Sequence, residues 1–408
     1  MRLRVLLFFF GTLILGILVP GCGKDGRIPS IAREDLFSLD IGRLEDQIAL
    51  YSLEGSGGVK PADMAMRDGL FYISDGNGGK ILRYNSYGNL LFMIYNEETN
   101  PPPMTLEPFR QDNVSTRWAV TYPLLEPGEI TVDSRKHIFV KDRLPYERHS
   151  YDPESRALLD NIILHFDADG NFVEYLGREG IGGSPFPKIE DLFISRDDEL
   201  AVVCRLPTGW NIYWFGDGME LLFVVDLKNE SVPVPPDRDL ALSSLDAIIA
   251  APDSRRLYIK VDYYRDIYDE STNTRTGNEP DSSIIWIMNA EDDSWEKTVE
   301  VPFFEYTYTE QNRRVTSRML YSLLGVMKDE KIFLAFPVEG GYSVLFLYPG
   351  SSSVLEQQQG FIQVRDEELN FNAFDLSEEG ILSGLLVDDW KVKLVWWRTD
   401  KFMGSLLQ

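Results

Sequence analysis

Asp63, Glu129, Asp191, Asp246 and Asn372 recur along the chain at near-regular spacing, each beside or within a short apolar run. Oxygen-bearing side chains at matching positions of a repeated unit can converge on one axis. There they would draw a hard cation such as Ca2+, or a basic peptide. The same positions have a plainer use, which is to accept hydrogen bonds from backbone amides of a neighbouring unit. One unit offers apolar Leu323 at this place, so the acidic set is not unbroken.

A metal-assisted hydrolysis would also need a general base near the ion. The three histidines are poor material: His137 falls in a predicted strand, His149 in a loop, and His165 in an alternating strand. H-E-x-x-H, G-x-S-x-G and paired-cysteine motifs do not occur. Asp167–Asn171, "DADGN", begins like a calcium loop but lacks the later glutamate and reads as a hairpin turn. Ser74–Lys80, "SDGNGGK", joins two strands rather than opening a helix, so no phosphate site follows, and "GSGG" at Gly55–Gly58 is a linker. No residue is placed as catalytic.

A second group of residues suits binding. "RWAVTYPLLEP", "LPYERHSY", "VDYYRDIY" and "PFFEYTYTEQNRRVTSR" concentrate Trp118, Tyr122, Tyr146, Arg148, Tyr151, Tyr263, Tyr264, Tyr268, Phe304, Tyr306, Arg313 and Arg314. Aromatic and arginine side chains bury large area with polar tips, as protein interfaces favour. They could equally cap the tops of sheets.

What positions these residues is a repeated unit. In "DGLFYISDGNGGKILRYNSYGNLLFMIY", Leu70–Ser74, Lys80–Tyr84 and Leu90–Tyr95 read as strands separated by tight links, with Met64–Met66 supplying one more before the turn at Asp68-Gly69. The rhythm returns about six times, giving blades near 61–95, 127–177, 187–228, 245–301, 322–358 and 370–398. A twisted four-stranded sheet that is apolar on both faces cannot satisfy itself alone. Stacking such sheets around an axis buries both faces and leaves only short edges. The expectation is an all-β, six-bladed β-propeller of four-stranded antiparallel blades spanning 34–408. The last unit runs out after three strands, so a strand within 34–53 is expected to complete it and close the ring. In that geometry the long segments 96–126, 143–160, 229–244, 265–282 and 302–321 all fall on one face.

The chain of 408 residues, 44% hydrophobic, is long enough to bury a large core. Forty Lys and Arg against 65 Asp and Glu give a formal charge of -25, which excludes affinity for nucleic acid driven by counterion release. Arg2 and Arg4 followed by apolar Val5–Val19 read as a signal peptide over 1–21. Gly21-Cys22 at its end resembles the bacterial lipobox, which implies lipidation of Cys22, with Pro20 departing from the usual residue there. Residues 22–33 read as a tether. The expected place is the bacterial cell envelope, lipid-anchored, periplasmic or surface-exposed. Cys204, the other cysteine, lies in the apolar run "LAVVCRL" and reads as a buried small hydrophobe.

"PADMAMRDGLFYISDGNGGKILRYNSYGNLLFMI" resembles an NHL repeat, with Pro61, Tyr72, Asp75, Asn77, Ile81 and Gly88 in family-like places. A second unit matches in halves, through Pro127, Val140, Asp142, Phe166 and Gly170. As a whole the chain resembles NHL-type propeller lipoproteins of spirochaetes, notably through "LFSLDIGRLEDQIALYSL". The resemblance implies the fold and no single activity, since such propellers host binding and catalysis alike. Lactonase-type six-bladed hydrolases hold calcium in the tunnel with Glu, Asn and Asp. Two expectations follow: a lipid-anchored protein-binding or assembly scaffold with a protein partner, or a Ca2+-dependent hydrolase or lyase acting through an acidic tunnel mouth.

Overall fold

The computed structural model describes residues 28–50, 62–108, 116–236, 238, 240–269, 271–310, 313–349 and 356–404. The expected signal peptide, Cys22, most of the tether and the Gly55–Gly58 linker lie outside the described residues. Among those described, no helix is long and apolar enough to cross a membrane.

The chain is an all-β propeller whose sheets stack face to face. Period-two alternation sends each strand's side chains to two different neighbours. In Leu70–Asp75, Phe71 and Ile73 join the cluster shared with Leu385 and Leu394, while Tyr72 points the other way, toward Ile138, Val140 and Phe166. In Leu200–Leu206, Val202 and Cys204 pack with Phe139 and Ile163, whereas Ala201 and Val203 pack with Leu257 and Ile259. In Ile332–Val338, Ile332 and Leu334 meet Tyr258 and Ile287, and Phe333 and Ala335 meet Leu386, Val395 and Trp397. One apolar cluster therefore fills every gap between neighbouring sheets, the gap between last and first included. At about 1.5–3 kcal/mol per fully buried large side chain, these clusters supply most of the favourable energy.

The blades are less uniform than the sequence suggests. Five are folded from contiguous chain, and only three of those keep to four antiparallel strands. The first adds Trp118–Thr121, which runs parallel to the outer strand Leu90–Tyr95, and then Glu107–Pro108. The second adds Gly180–Ile181. An outermost strand has unpaired amides, and the nearest linking chain satisfies them.

The remaining sheet is composite. Arg33–Asp40 pairs antiparallel with Lys391–Trp397, from Arg33 opposite Trp397 to Asp40 opposite Lys391, and stands outside Leu382–Val387 and Phe371–Leu376. Phe37 of this strand packs on Phe71 and Tyr84 of the first blade. Gly88, at φ 79°, sits against it, and a Cβ there would lie 2.8 Å from that of Phe37.

At one end, the turns between first and second strands clasp one another around the circuit. Asp68 pairs with Lys136. Ser134 donates to Asp198 through its amide and hydroxyl, at 2.8 and 2.6 Å. The amides of Arg196 and Lys328 donate to the carbonyls of Pro252 and Glu378 at 2.7 and 3.1 Å. Asp329 donates its amide to Asp253 at 3.2 Å. Strand direction sends the connections between second and third strands, and the links between blades, to the opposite end.

Those connections are largely extended chain rather than the expected loops. Segment 265–282 prolongs two strands into the long hairpin Arg256–Tyr268 and Arg275–Asn289. Segment 302–321 forms the hairpin Phe304–Glu310 and Arg313–Met319, and 143–160 contains the small hairpin Ser150–Asp152 and Ala157–Leu159.

Candidate functional site

The innermost strands, among them Ala62–Arg67, Ile130–Val132, Lys188–Ile194 and Phe371–Leu376, enclose a central cavity of about 870 Å3. Asp63, Glu129, Asp191 and Asn372 line it, and Asp246 does not. Most of the acids are engaged by backbone or by a lysine. Asp63 accepts the amide of Ile130 at 3.1 Å, so it stitches the first blade to the second. Asp246 accepts the amide of Leu323 at 3.3 Å and the Lys260 ammonium at 3.1 Å. Glu129 meets Lys141 at 2.8 Å, and Asp191 accepts the amide of Leu192 at 2.8 Å.

Asp375 completes this wall. It accepts the amide of Met66 at 3.0 Å, joining the composite sheet to the first blade. Asn372, which the sequence singles out, stands opposite Leu386, as far from its turn as Asp63 opposite Ser74; Asp375, which it does not, lies three residues nearer the turn on the other face of the strand.

These carboxyls sit deep in the ring and line its central cavity. Burial, then the charge of Glu129, pushes Asp63 up to about 7. Burial alone carries Asp375 up to about 7. Burial, then the charge of Asp63, holds Asp191 well above the ordinary carboxylate range. Near neutral pH the wall therefore mixes carboxylic acids with carboxylates, a surface that can donate to and accept from hydroxyl or ammonium groups. Tethering to different blades keeps the acids apart around the circumference. Among the described residues, no three His, Cys, Asp or Glu side chains come together as ligands for a metal ion.

Of the histidines, His165 lies in the strand Asn161–Phe166 and His149 in a loop, as the sequence suggests, and one is placed differently. His137 lies in the turn before Ile138–Arg143, not in a strand, and its Nδ1 is 3.1 Å from His165 Nε2. His165 Nδ1 is in turn 3.2 Å from Glu174, and Phe139 stacks on the His165 ring at 4.5 Å. Burial lowers the His165 pKa, against the pull of Glu174. Pairing of second and third strands places Phe139 opposite His165, a register that period-two alternation alone does not give.

At the end opposite the clasped turns, the expected binding residues divide. Tyr146, Arg148 and Tyr151 are exposed beside the small hairpin of the second blade. Tyr268 is exposed at the tip of the long hairpin, and Tyr306 and Arg314 on the hairpin Phe304–Met319, whose second strand starts at Arg313. Others serve packing. Tyr263 has no exposed surface; its hydroxyl donates to the carbonyl of Pro233 and accepts from Trp286 Nε1 at 2.9 Å. Trp118 stacks on Phe92 at 5.8 Å and donates to the carbonyl of Asp169. Tyr122 lies against Phe166 and Phe172, Phe304 stacks on Phe336 at 4.7 Å, and Tyr264 is half-buried.

No protein-family model matches the chain, and no curated protein matches it in sequence. Solved propellers do resemble it. A protein classed as a gluconolactonase is 10% identical, with 92% of this chain and 96% of that one covered and a TM-score of 0.38. A glucose dehydrogenase is 10% identical over 90% and 98%, with a TM-score of 0.37. The β-propeller domain of the Trilobed protease from Pyrococcus furiosus is 12% identical over 84% and 95%, with a TM-score of 0.36. At such identity and superposition the likeness extends to the fold and carries no inference about activity.

Proposed function

We propose that the protein is a cell-envelope binding module: a closed ring of six units, anchored by lipid on Cys22 after removal of residues 1–21, which engages a protein partner through its elaborated end. Its NHL-like first unit and its likeness to spirochaetal propeller lipoproteins agree with an assembly or scaffold role. The observation that carries the reading is the asymmetry between the two ends. Turns at one end are short and clasped to each other, while Tyr146, Arg148, Tyr151, Tyr268, Tyr306 and Arg314 are exposed on or beside hairpins at the other. Such residues commonly anchor interfaces. The test is affinity capture from detergent-solubilised envelopes with wild type and with the hairpin 304–319 replaced by a short turn. A partner retained only by wild type is the expected result; an unchanged set of partners defeats the reading. Cys22→Ser should abolish incorporation of labelled fatty acid.

A second reading rests on the central cavity, where Asp63 and Asp375 near 7 stand in the range useful for general acid–base work. It assigns the cavity to a hydrolase or lyase dependent on Ca2+. Melting with a chelator and with added calcium distinguishes the two: a rise of several degrees with calcium favours this reading, and no change removes it.

A further inference from the structure

The outer edges of the sheets are not treated alike. Trp118–Thr121 pairs along the outer strand of the first blade, and Gly180–Ile181 along that of the second. Residues 29–31 cover the edge of Glu356–Gln363, where Phe361 donates its amide to the carbonyl of Pro29 at 2.9 Å and accepts the amide of Ile31 at 2.8 Å. Among the described residues, no strand lies outside Arg33–Asp40, Ser294–Val301 or Leu221–Lys228. The first two carry charge, as Glu34 and Asp35 or Glu296, Lys297 and Glu300, which discourages another strand from pairing. Leu221–Lys228, on the third blade, is uncharged through Val225, and its Leu222 and Val224 are 37% and 40% exposed.

What lies beside this open edge is acidic. Val225 and Leu227 pack toward the fourth blade, so Val224, Asp226 and Lys228 face the second. There a cavity of about 710 Å3 sets Asp152, Glu154, Asp226 and Glu230 against Arg178 and Lys228. Arg178 turns to Asp152 at 3.5 Å, while Glu154, Asp226 and Glu230 form no ion pair among the described residues. A strand added to a sheet gains main-chain bonds from the free edge and specificity from its alternate side chains. Apolar side chains suit Leu222 and Val224, and a lysine or arginine further along the same face suits Asp226 and the acids around it.

We propose that the outer edge of the third blade takes up an extended basic peptide segment as a further strand, with alternate apolar side chains on Leu222 and Val224 and the next, cationic, side chain on Asp226. The edge is distinct from the central cavity and from the exposed hairpins, and its use stands whether or not the module binds a protein there.

Calorimetric titration of the full chain in detergent, with empty micelles as the blank, tests it with the end-capped peptide VTVTKT and its reverse TKTVTV, one for each strand direction. One of them should bind with a dissociation constant of about 0.1–1 mM, and its counterpart with glutamate for lysine at least about tenfold more weakly. Methylating one alternate set of its backbone nitrogens should abolish binding, and methylating the other set should be tolerated, as a paired strand requires. Val224→Lys should weaken binding at least about tenfold, and Asp226→Lys should make the glutamate peptide the better ligand. Both positions are exposed, and a melting curve confirms that each variant is folded. The proposal is overturned if neither peptide gives heat up to about 5 mM, if the glutamate peptide binds wild type as well, if both methylated forms bind, or if Val224→Lys binds like wild type. Concentration-dependent sedimentation of the protein as a dimer, abolished by Val224→Lys, would also overturn it by making a second copy the occupant of the edge.

Discussion

Arg33 grips Glu368 with two bonds, of 2.6 and 2.9 Å, joining the first described strand to the short turn Asp366–Glu368 that precedes Phe371–Leu376. Arg365 and Lys393 reach the same carboxyl at 2.7 and 3.1 Å. No solvent touches the Glu368 side chain. Burial alone would raise its pKa, but the bonds from Arg33, Arg365 and Lys393 win and hold it far below the usual carboxylate range. Glu368→Ala should therefore destabilise the protein by about 3 kcal/mol in denaturant titration at neutral pH. Its folded value lies below its unfolded one, so the contribution is complete above the ordinary glutamate value and fades only in strong acid. An equal loss for wild type and variant between neutral and acid pH would contradict this.

The Asp63 and Asp375 carboxyls run the other way. With folded values near 7, above the unfolded ones, they favour the native state at low pH, and that benefit drains away as pH rises from about 4 to about 7. Paired Asn substitutions keep an oxygen for the amides of Ile130 and Met66. The double variant should melt above wild type at about pH 8 and lose that advantage at about pH 5. Buried His165, whose lowered pKa gives stability that is lost as pH falls, opposes the trend in both proteins and cancels in their difference.

Phe37 is the apolar counterpart of the Arg33 grip. Its ring centroid lies 6.0 Å from Phe71 and 5.4 Å from Tyr84. Phe37→Ala should cost about 2–3 kcal/mol, less than a fully buried phenylalanine, because the residue is half-buried. Deleting residues 28–50 should abolish the cooperative transition seen by calorimetry. A truncated protein that melts like wild type would show that Arg33–Asp40 does not hold the fold closed.

Lys80 is wholly buried, donating to the carbonyl of Leu44 at 2.8 Å and standing 3.9 Å from Asp75. Burial lowers its pKa to about 8, against the pull of Asp75. Stability should rise with pH from about 8 toward the ordinary lysine value, since the unfolded chain holds the proton longer. Lys80→Met should remove that rise and destabilise the protein at pH 7 by about 3 kcal/mol, because the buried Asp75 carboxyl loses its cation and the Leu44 carbonyl its donor, although Asp75 keeps the amides of Ala49 and Gly78 at 2.7 and 2.8 Å.

Phe71, Tyr72 and Ile73 show what local order makes legible. Three successive apolar residues in a short strand can all be buried only if both faces of the sheet are covered. Asp68-Gly69, with φ of 51° and 74°, likewise announces its hairpin turn. Trp118 shows the opposite. Its segment was readable as aromatic, but not as a strand returning parallel to Leu90–Tyr95, since nothing near Trp118 encodes its partner.

From the sequence alone came the all-β propeller plan, the shortage of one strand in the last unit, and the acids at the inner strands, because these depend on period-two alternation and turn chemistry within a few residues. Which acids meet amides of another blade, and that His137 meets His165, were decided by the tertiary structure. Each of those pairings joins different strands or different blades, and its distance depends on inter-strand register and on the rotation between sheets, which no single segment carries.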